Sequence, residues 1–170
     1  MRKLKHPDSF HLEAAEGWLE LGDWLSADGE LDLITPQLRA HPSVLVVRAM
    51  IYFKAKNWIG LIEISETLTK MLPKQSQGWI HRSFALHELK KTQEAFDRLA
   101  PVADRFPKEW IVPYNLACYA AQLGNIQESE AWFKKAMAID EHTVKRSAID
   151  DPDLDPLWKG MEGTTWKRAE

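Results

Sequence analysis

A pattern of small and apolar residues returns along this chain at an interval of 34. A unit of that length cannot bury an apolar face alone, so it folds by stacking against copies of itself. The clearest unit is residues 110–141, WIVPYNLACYAAQLGNIQESEAWFKKAMAIDE. It reads as two helices about one tight break at Gly124-Asn125, with Leu116, Ala117 and Ala120 on a stripe of the first helix and Ser129, Phe133 and Ala136 on the second. Small residues at Ala117, Ser129 and Ala136 let two antiparallel helices approach closely, and the larger side chains beside them fill the remaining space. One interval earlier, Pro113, Ala120, Ser129 and Phe133 become Trp79, Leu86, Ala95 and Leu99. A further interval gives Leu45, Ala49, Tyr52 and Leu61, with Asn57-Trp58 at the break. Leu61 is out of character there, because the later units place a small residue at that position.

These residues resemble the tetratricopeptide repeat (TPR), a helix–turn–helix unit of 34 residues. The family's small residue, turn glycine, second small residue, aromatic and last alanine are matched by Ala117, Gly124, Ser129, Phe133 and Ala136, and its closing proline by Pro107 and Pro73. Trp18-x-x-Leu21-Gly22-x-x-Leu25 matches the opening motif once more, only 27 residues before Leu45. The first unit is therefore expected to be a variant whose second helix is short by about two turns. The resemblance implies an all-α fold, a right-handed α-solenoid of antiparallel helix pairs. A single domain is expected, with a variant first repeat over about 9–42, repeats over 43–75, 76–109 and 110–141, and a capping helix and C-terminal clasp over 142–170.

Local signals set the expected boundaries. Asp8 or Ser9 caps a long first helix reaching about Ala27, which Asp28-Gly29 ends. A short helix covers residues 30–40 on the stripe Leu31, Ile34 and Leu38. Ser43 caps the next helix, Lys56-Asn57 turns it, and residues 58–72 are helical up to Pro73. Gln75 or Ser76 opens a helix to about Lys90, and Thr92 caps another that runs to Phe106-Pro107. Residues 142–149 form a helix over the last repeat, as a solenoid end requires. Asp151-Pro152 and Asp155-Pro156 each read as a cap followed by proline at the first helical position. That leaves Leu154, Leu157 and Trp158 to pack beneath the capping helix, while Trp166 has no evident place.

Composition narrows the function. Charged residues make up 28% and apolar residues 45%, a globular balance. A net charge of −3 provides no basic footprint for nucleic acid. The amino-terminal stretch lacks an apolar signal core, and no apolar run is long enough to span a bilayer. A cytoplasmic protein that touches neither membrane nor nucleic acid is expected. With one cysteine, an internal disulfide is excluded.

No catalytic, cofactor or metal residue is expected. Asp151, Asp153, Asp155 and Glu162 stand at calcium-loop positions 1, 3, 5 and 12. That loop needs glycine at position 6, where this chain has Pro156. His81 and His87 project to different sides of one helix, and His6, His11, His41 and His142 lie near element ends. Cys118 sits among Ala117, Tyr119 and Ala120, an apolar setting that does not activate a thiol.

The informative feature is a second stripe on the first helix of each regular unit. It reads Val46, Met50, Phe53; then Ile80, Phe84, His87; then Tyr114, Cys118, Ala121. The resemblance implies that these positions line a concave face, where the family often carries polar residues; here the first two rungs are apolar and aromatic. The residues expected to meet a partner are Val46, Met50, Phe53, Ile80, Phe84, His87, Tyr114 and Cys118, with Lys54, Glu88 and Gln122 at the edge. Either neighbouring helices or the C-terminal segment seal this stripe, with Trp158 or Trp166 as a plug, or it is a groove for an apolar helix or extended peptide. The TPR clamp for chaperone C-termini is not carried over. Val46 and Met50 occupy its Lys and Asn positions, although Asn115 matches a later one. The expected function is a non-enzymatic adaptor binding a protein or peptide. The alternatives are a small chaperone resembling those of type III secretion translocators, and a homo-oligomer that uses the groove itself.

Overall fold

The structure is a computed structural model that describes residues 3–160, and every regular element among them is helical. Helix α1 (Asp8–Glu20) packs on α2 (Trp24–Leu33), α3 (Pro42–Lys54) on α4 (Trp58–Met71), and α7 (Ile111–Gln122) on α8 (Ile126–Ile139). Between them come α5 (Gln77–Glu88) and α6 (Thr92–Leu99), and after them α9 (Glu141–Ala148) and α10 (Asp155–Gly160). By internal contacts the chain divides into two compact units, one ending at Ala85 and the other beginning at Leu86. None of the described helices is long and apolar enough to cross a membrane.

The repeat is more regular in the backbone than in the side chains. Among the described residues, those with positive φ are Gly22 (83°), Lys56 (54°), Lys90 (62°) and Gly124 (80°), spaced at 34 throughout. The residue after each, Asp23, Asn57, Lys91 or Asn125, donates its N–H over 2.9 Å to the carbonyl of Trp18, Tyr52, Leu86 or Ala120. This is the left-handed closure that satisfies the last carbonyls of a helix. The same four residues are the N-caps of the following helices. Asp23 accepts from the Ser26 N–H at 3.0 Å and Asn57 from the Gly60 N–H at 3.1 Å.

The first repeat is therefore in phase, which corrects two expectations. Trp18 stands at the end of a first helix, in register with Tyr52, and does not open one. The long first helix is in fact two helices, because Gly22 adopts the left-handed conformation and Asp23 starts α2. No seven residues are missing. Ala15 aligns with Ala49, Ser83 and Ala117, all at most 1% exposed, and Ala27 aligns with Leu61, Ala95 and Ser129, all fully buried.

Other boundaries shift for equally local reasons. Pro36 biases Thr35 to an extended conformation, so α2 ends at Leu33 and a 3-10 turn, Pro36–Leu38, follows. Pro101 cannot donate within a helix, so α6 stops at Leu99 and continues as the 3-10 segment Ala100–Arg105. The cap of α3 is His41, with Ser43 as donor, and that of α6 is Lys91, not Thr92. Asp8 begins α1, but its carboxylate accepts the Thr35 N–H at 2.6 Å, tying the start of the first helix to the end of the second. That bond holds the Asp8 carboxyl below its usual acidity range.

Lysine in the left-handed region carries a steric cost of about 1–2 kcal/mol, partly offset for glycine by its greater freedom when unfolded. Lys56→Gly and Lys90→Gly should each raise stability by about 0.5–1 kcal/mol, read as a higher urea midpoint at unchanged slope. Gly22→Ala and Gly124→Ala should lower it.

In the first unit, Leu31, Ile34, Val44, Val47 and Ile51 gather with Ala15, Leu19 and Ala27 into one apolar cluster, and Ala49, Leu61, Leu68 and Ala85 into a second. In the second unit, α7 is the central helix, buried at every residue from Val112 to Ala121. Its partner α8 meets it through Ser129, Phe133 and Ala136, and the Ser129 hydroxyl donates to the Ala117 carbonyl at 2.8 Å. Leu154 and Leu157 are fully buried; the turn that carries Leu154 packs on α7, and α10, which carries Leu157, packs on α8 and α7.

Candidate functional site

The second stripe has a different environment in each unit. In the first unit, α3 carries Val46, Met50 and Phe53 at helical spacing, and α5 carries Ile80 and Phe84. The Phe53 and Phe84 rings lie 5.1 Å apart, and Trp58 from the start of α4 meets both, at 6.1 and 5.7 Å. His81 stacks on Phe53 at 5.7 Å. Burial pushes its pKa down, and its Nδ1 has no hydrogen-bond partner among the described residues. The result is an aromatic floor with Val46 and Ile80 half-buried beside it and Lys54 exposed at the edge. Met50 is 43% exposed.

In the second unit the stripe is filled. Residues 151–154 run along α7, with Pro152–Leu154 as a 3-10 turn capped by Asp151. Tyr114 donates its hydroxyl to Asp151 Oδ2 at 2.6 Å, and the Cys118 thiol reaches the same oxygen at 3.7 Å. His87 Nε2 lies 3.0 Å from Asp153 Oδ2, and Gln122 donates to the Asp153 carbonyl at 3.0 Å. Since a carboxylate only accepts, His87 Nε2 carries the proton, and in the neutral ring Nδ1 accepts from the Thr92 hydroxyl at 3.0 Å. Burial, reinforced by the aspartates, raises the pKa of both Tyr114 and Cys118. Both groups are protonated donors to Asp151 here. Glu88, at the end of α5, is exposed.

The segment over the stripe is thus the aspartate run. Trp158 turns instead to α8, edge-on to Phe133 at 5.2 Å. Trp166 and Glu162 lie outside the described residues. Asp151 and Asp153 are engaged with α7 and His87, and no group of three His, Cys, Asp or Glu side chains among the described residues could hold a metal ion. Sequence reasoning identifies the aspartates as caps and misses them as occupants of the stripe; it also misses Trp58 and His81 in the aromatic floor. His81 is legible, since it precedes Phe84 by about one helical turn. Trp58 is masked because it opens a second helix.

Paired helices with small residues at the crossing and left-handed closures every 34 residues define the fold of tetratricopeptide-repeat proteins, an all-α solenoid. No protein-family model matches the chain, and no curated protein matches it. Solved structures do. A thermophilic TPR protein of Thermus thermophilus superposes with a TM-score of 0.73 at 17% identity, over 91% of this chain and 83% of that one. MamA from Desulfovibrio magneticus RS-1 gives 0.72 at 13% identity, over 86% and 84%. PilW, a widely conserved type IV pilus biogenesis factor, gives 0.68 at 16% identity, over 92% and 69%. At these identities the likeness is one of fold.

Proposed function

We propose that this chain is a non-enzymatic protein-interaction module, acting in the cytoplasm, that takes a helix or extended segment of a partner on the α3–α5 face of its first unit. Val46, Met50, Phe53, Ile80 and Phe84 supply the contact and Lys54 a charged edge. The observation that carries this reading is Met50, a large apolar side chain 43% exposed beside an aromatic floor. Apolar side chains clustered at a surface commonly mark interaction sites. The corresponding positions of the last repeat, Tyr114 and Cys118, already hold a peptide segment, the chain's own. His87 and Gln122 meet that same segment, and Glu88 is exposed beside His87 at the end of α5. The fold is shared with TPR proteins, which supports a protein partner in general terms.

Phe84 is a poor test residue, because a charge there would enter the contact with Phe53 and Trp58. Met50→Glu is the cleaner variant. It should remove at least about 1.4 kcal/mol, or tenfold, of partner affinity while leaving the helical circular dichroism unchanged. Pull-downs from native lysate with wild type and variant side by side, followed by affinity measurement on the captured protein, make the comparison. A partner held equally by both would contradict this site. A chaperone would use the same face, and is distinguished by co-expression, where it should keep an insoluble client in solution.

A further inference from the structure

Residues 150, 151, 153 and 155 place four carboxylates within six positions, and among the described residues no lysine or arginine pairs with any of them. Their one ion-pair partner is His87. Asp151 is met instead by two neutral donors, Tyr114 and Cys118, and the Asp153 carbonyl by a third, Gln122. Asp150 and Asp155 are exposed and the Asp153 side chain is 37% exposed, so the contacts fall on Asp151, on one oxygen of Asp153 and on the Asp153 main-chain carbonyl. What the arrangement provides is discrimination. Two carboxylates at an i, i+2 spacing, one main-chain carbonyl and one buried leucine, Leu154, are each read by a separate feature of the second unit.

We infer that the face formed by His87, Tyr114, Cys118 and Gln122 is a recognition site for Asp-x-Asp-Leu segments, occupied in the resting chain by residues 151–154, and that a partner polypeptide carrying the same motif binds there by displacing them. The chain's own segment is then a tethered competitor that sets the threshold for that partner. The site is separate from the α3–α5 face and stands or falls independently of it.

The probe is a fluorescein-labelled peptide of residues 150–158, titrated into the full chain. Asp151→Asn/Asp153→Asn in the chain keeps the shape of its own segment while removing the charges. This double variant should bind the probe about tenfold more tightly than wild type, and adding Tyr114→Phe should weaken it again by about tenfold, as loss of a charge-assisted hydrogen bond predicts. Equal binding to wild type and double variant, or none to either, overturns the proposal. A second measurement needs no variant: excess unlabelled peptide should speed amide hydrogen exchange in residues 150–158 of the wild-type chain. Unchanged exchange at saturating peptide would mean that the segment is a fixed part of the fold.

Discussion

Leu61→Ala should destabilise the protein by about 2–5 kcal/mol, the usual cost of emptying a fully buried leucine site, and Ser65→Leu in the same chain should restore much of it. The reason lies in the repeat. The second helices carry Ala27 with Leu31, Ala95 with Leu99, and Ser129 with Phe133, small then large, four residues apart on one face. The second repeat inverts the order, with Leu61 and then Ser65, and all eight residues are at most 7% exposed. Leu61, which looks out of character in the sequence, therefore fills space that Ser65 leaves. The Ser65 hydroxyl also has no hydrogen-bond partner among the described residues. Ser65→Leu alone should overpack the site, at about 1–3 kcal/mol. The double variant reproduces the small-then-large order of its neighbours, so its loss should fall short of the sum of the single losses by about 1–3 kcal/mol, the range expected of directly coupled residues. Urea unfolding of the four proteins measures the cycle. Simple additivity would show that the two positions do not share a volume.

The second large effect is at Gly78. A β-carbon built there would lie 3.2 Å from Leu68 Cβ, 3.2 Å from the Thr69 nitrogen and 3.3 Å from the Ser65 carbonyl oxygen. Two of these neighbours are backbone atoms of α4 and cannot turn aside as a side-chain tip would. Gly78 is what lets α5 come this close to α4. Gly78→Val should cost about 3 kcal/mol or more, at the upper end of overpacking effects, and Gly78→Ala less, because one methyl needs only a few tenths of an ångström and gains helix propensity. Gly17, near the C-terminal end of α1, has nothing within 4 Å of a β-carbon. Gly17→Ala should stabilise by about 0.5–1 kcal/mol through propensity alone. Thermal or urea unfolding that ranks the two alanine variants equally would contradict the close approach.

Sequence reasoning reaches the helix pairs and their crossing residues because an interval of 34 is visible wherever small residues must recur: Ala49, Ser83 and Ala117 in first helices, Ala95 and Ser129 in second ones. It misplaces the first repeat because Trp18, Leu21 and Gly22 imitate an opening motif, although Gly22 is the helix-ending glycine, in register with Gly124. Glycine marks only two of the four turns. Lys56 and Lys90 adopt the same left-handed conformation without a residue type that announces it. Pro101 signals the end of α6 openly, yet the more distant Pro107 is the residue that the family pattern favours. The stripe carrying Met50 and Phe84 is legible as a periodicity. Its coverage by Asp151 and Asp153 is not, because that pairing joins residues more than thirty positions apart through a non-repetitive segment, which no interval reveals.

Cys118 offers the most direct test of that coverage, being the only thiol in the chain and lying under Asp151. The measurement is the rate of its reaction with Ellman's reagent in the native full-length protein, beside the same protein unfolded in urea. A thiol that is buried, held protonated and reached only when the segment lifts should react about a hundredfold more slowly in the native state, and Asp151→Ala should restore about tenfold of that. A native thiol that reacts as fast as the unfolded one would show that residues 151–154 do not lie over α7.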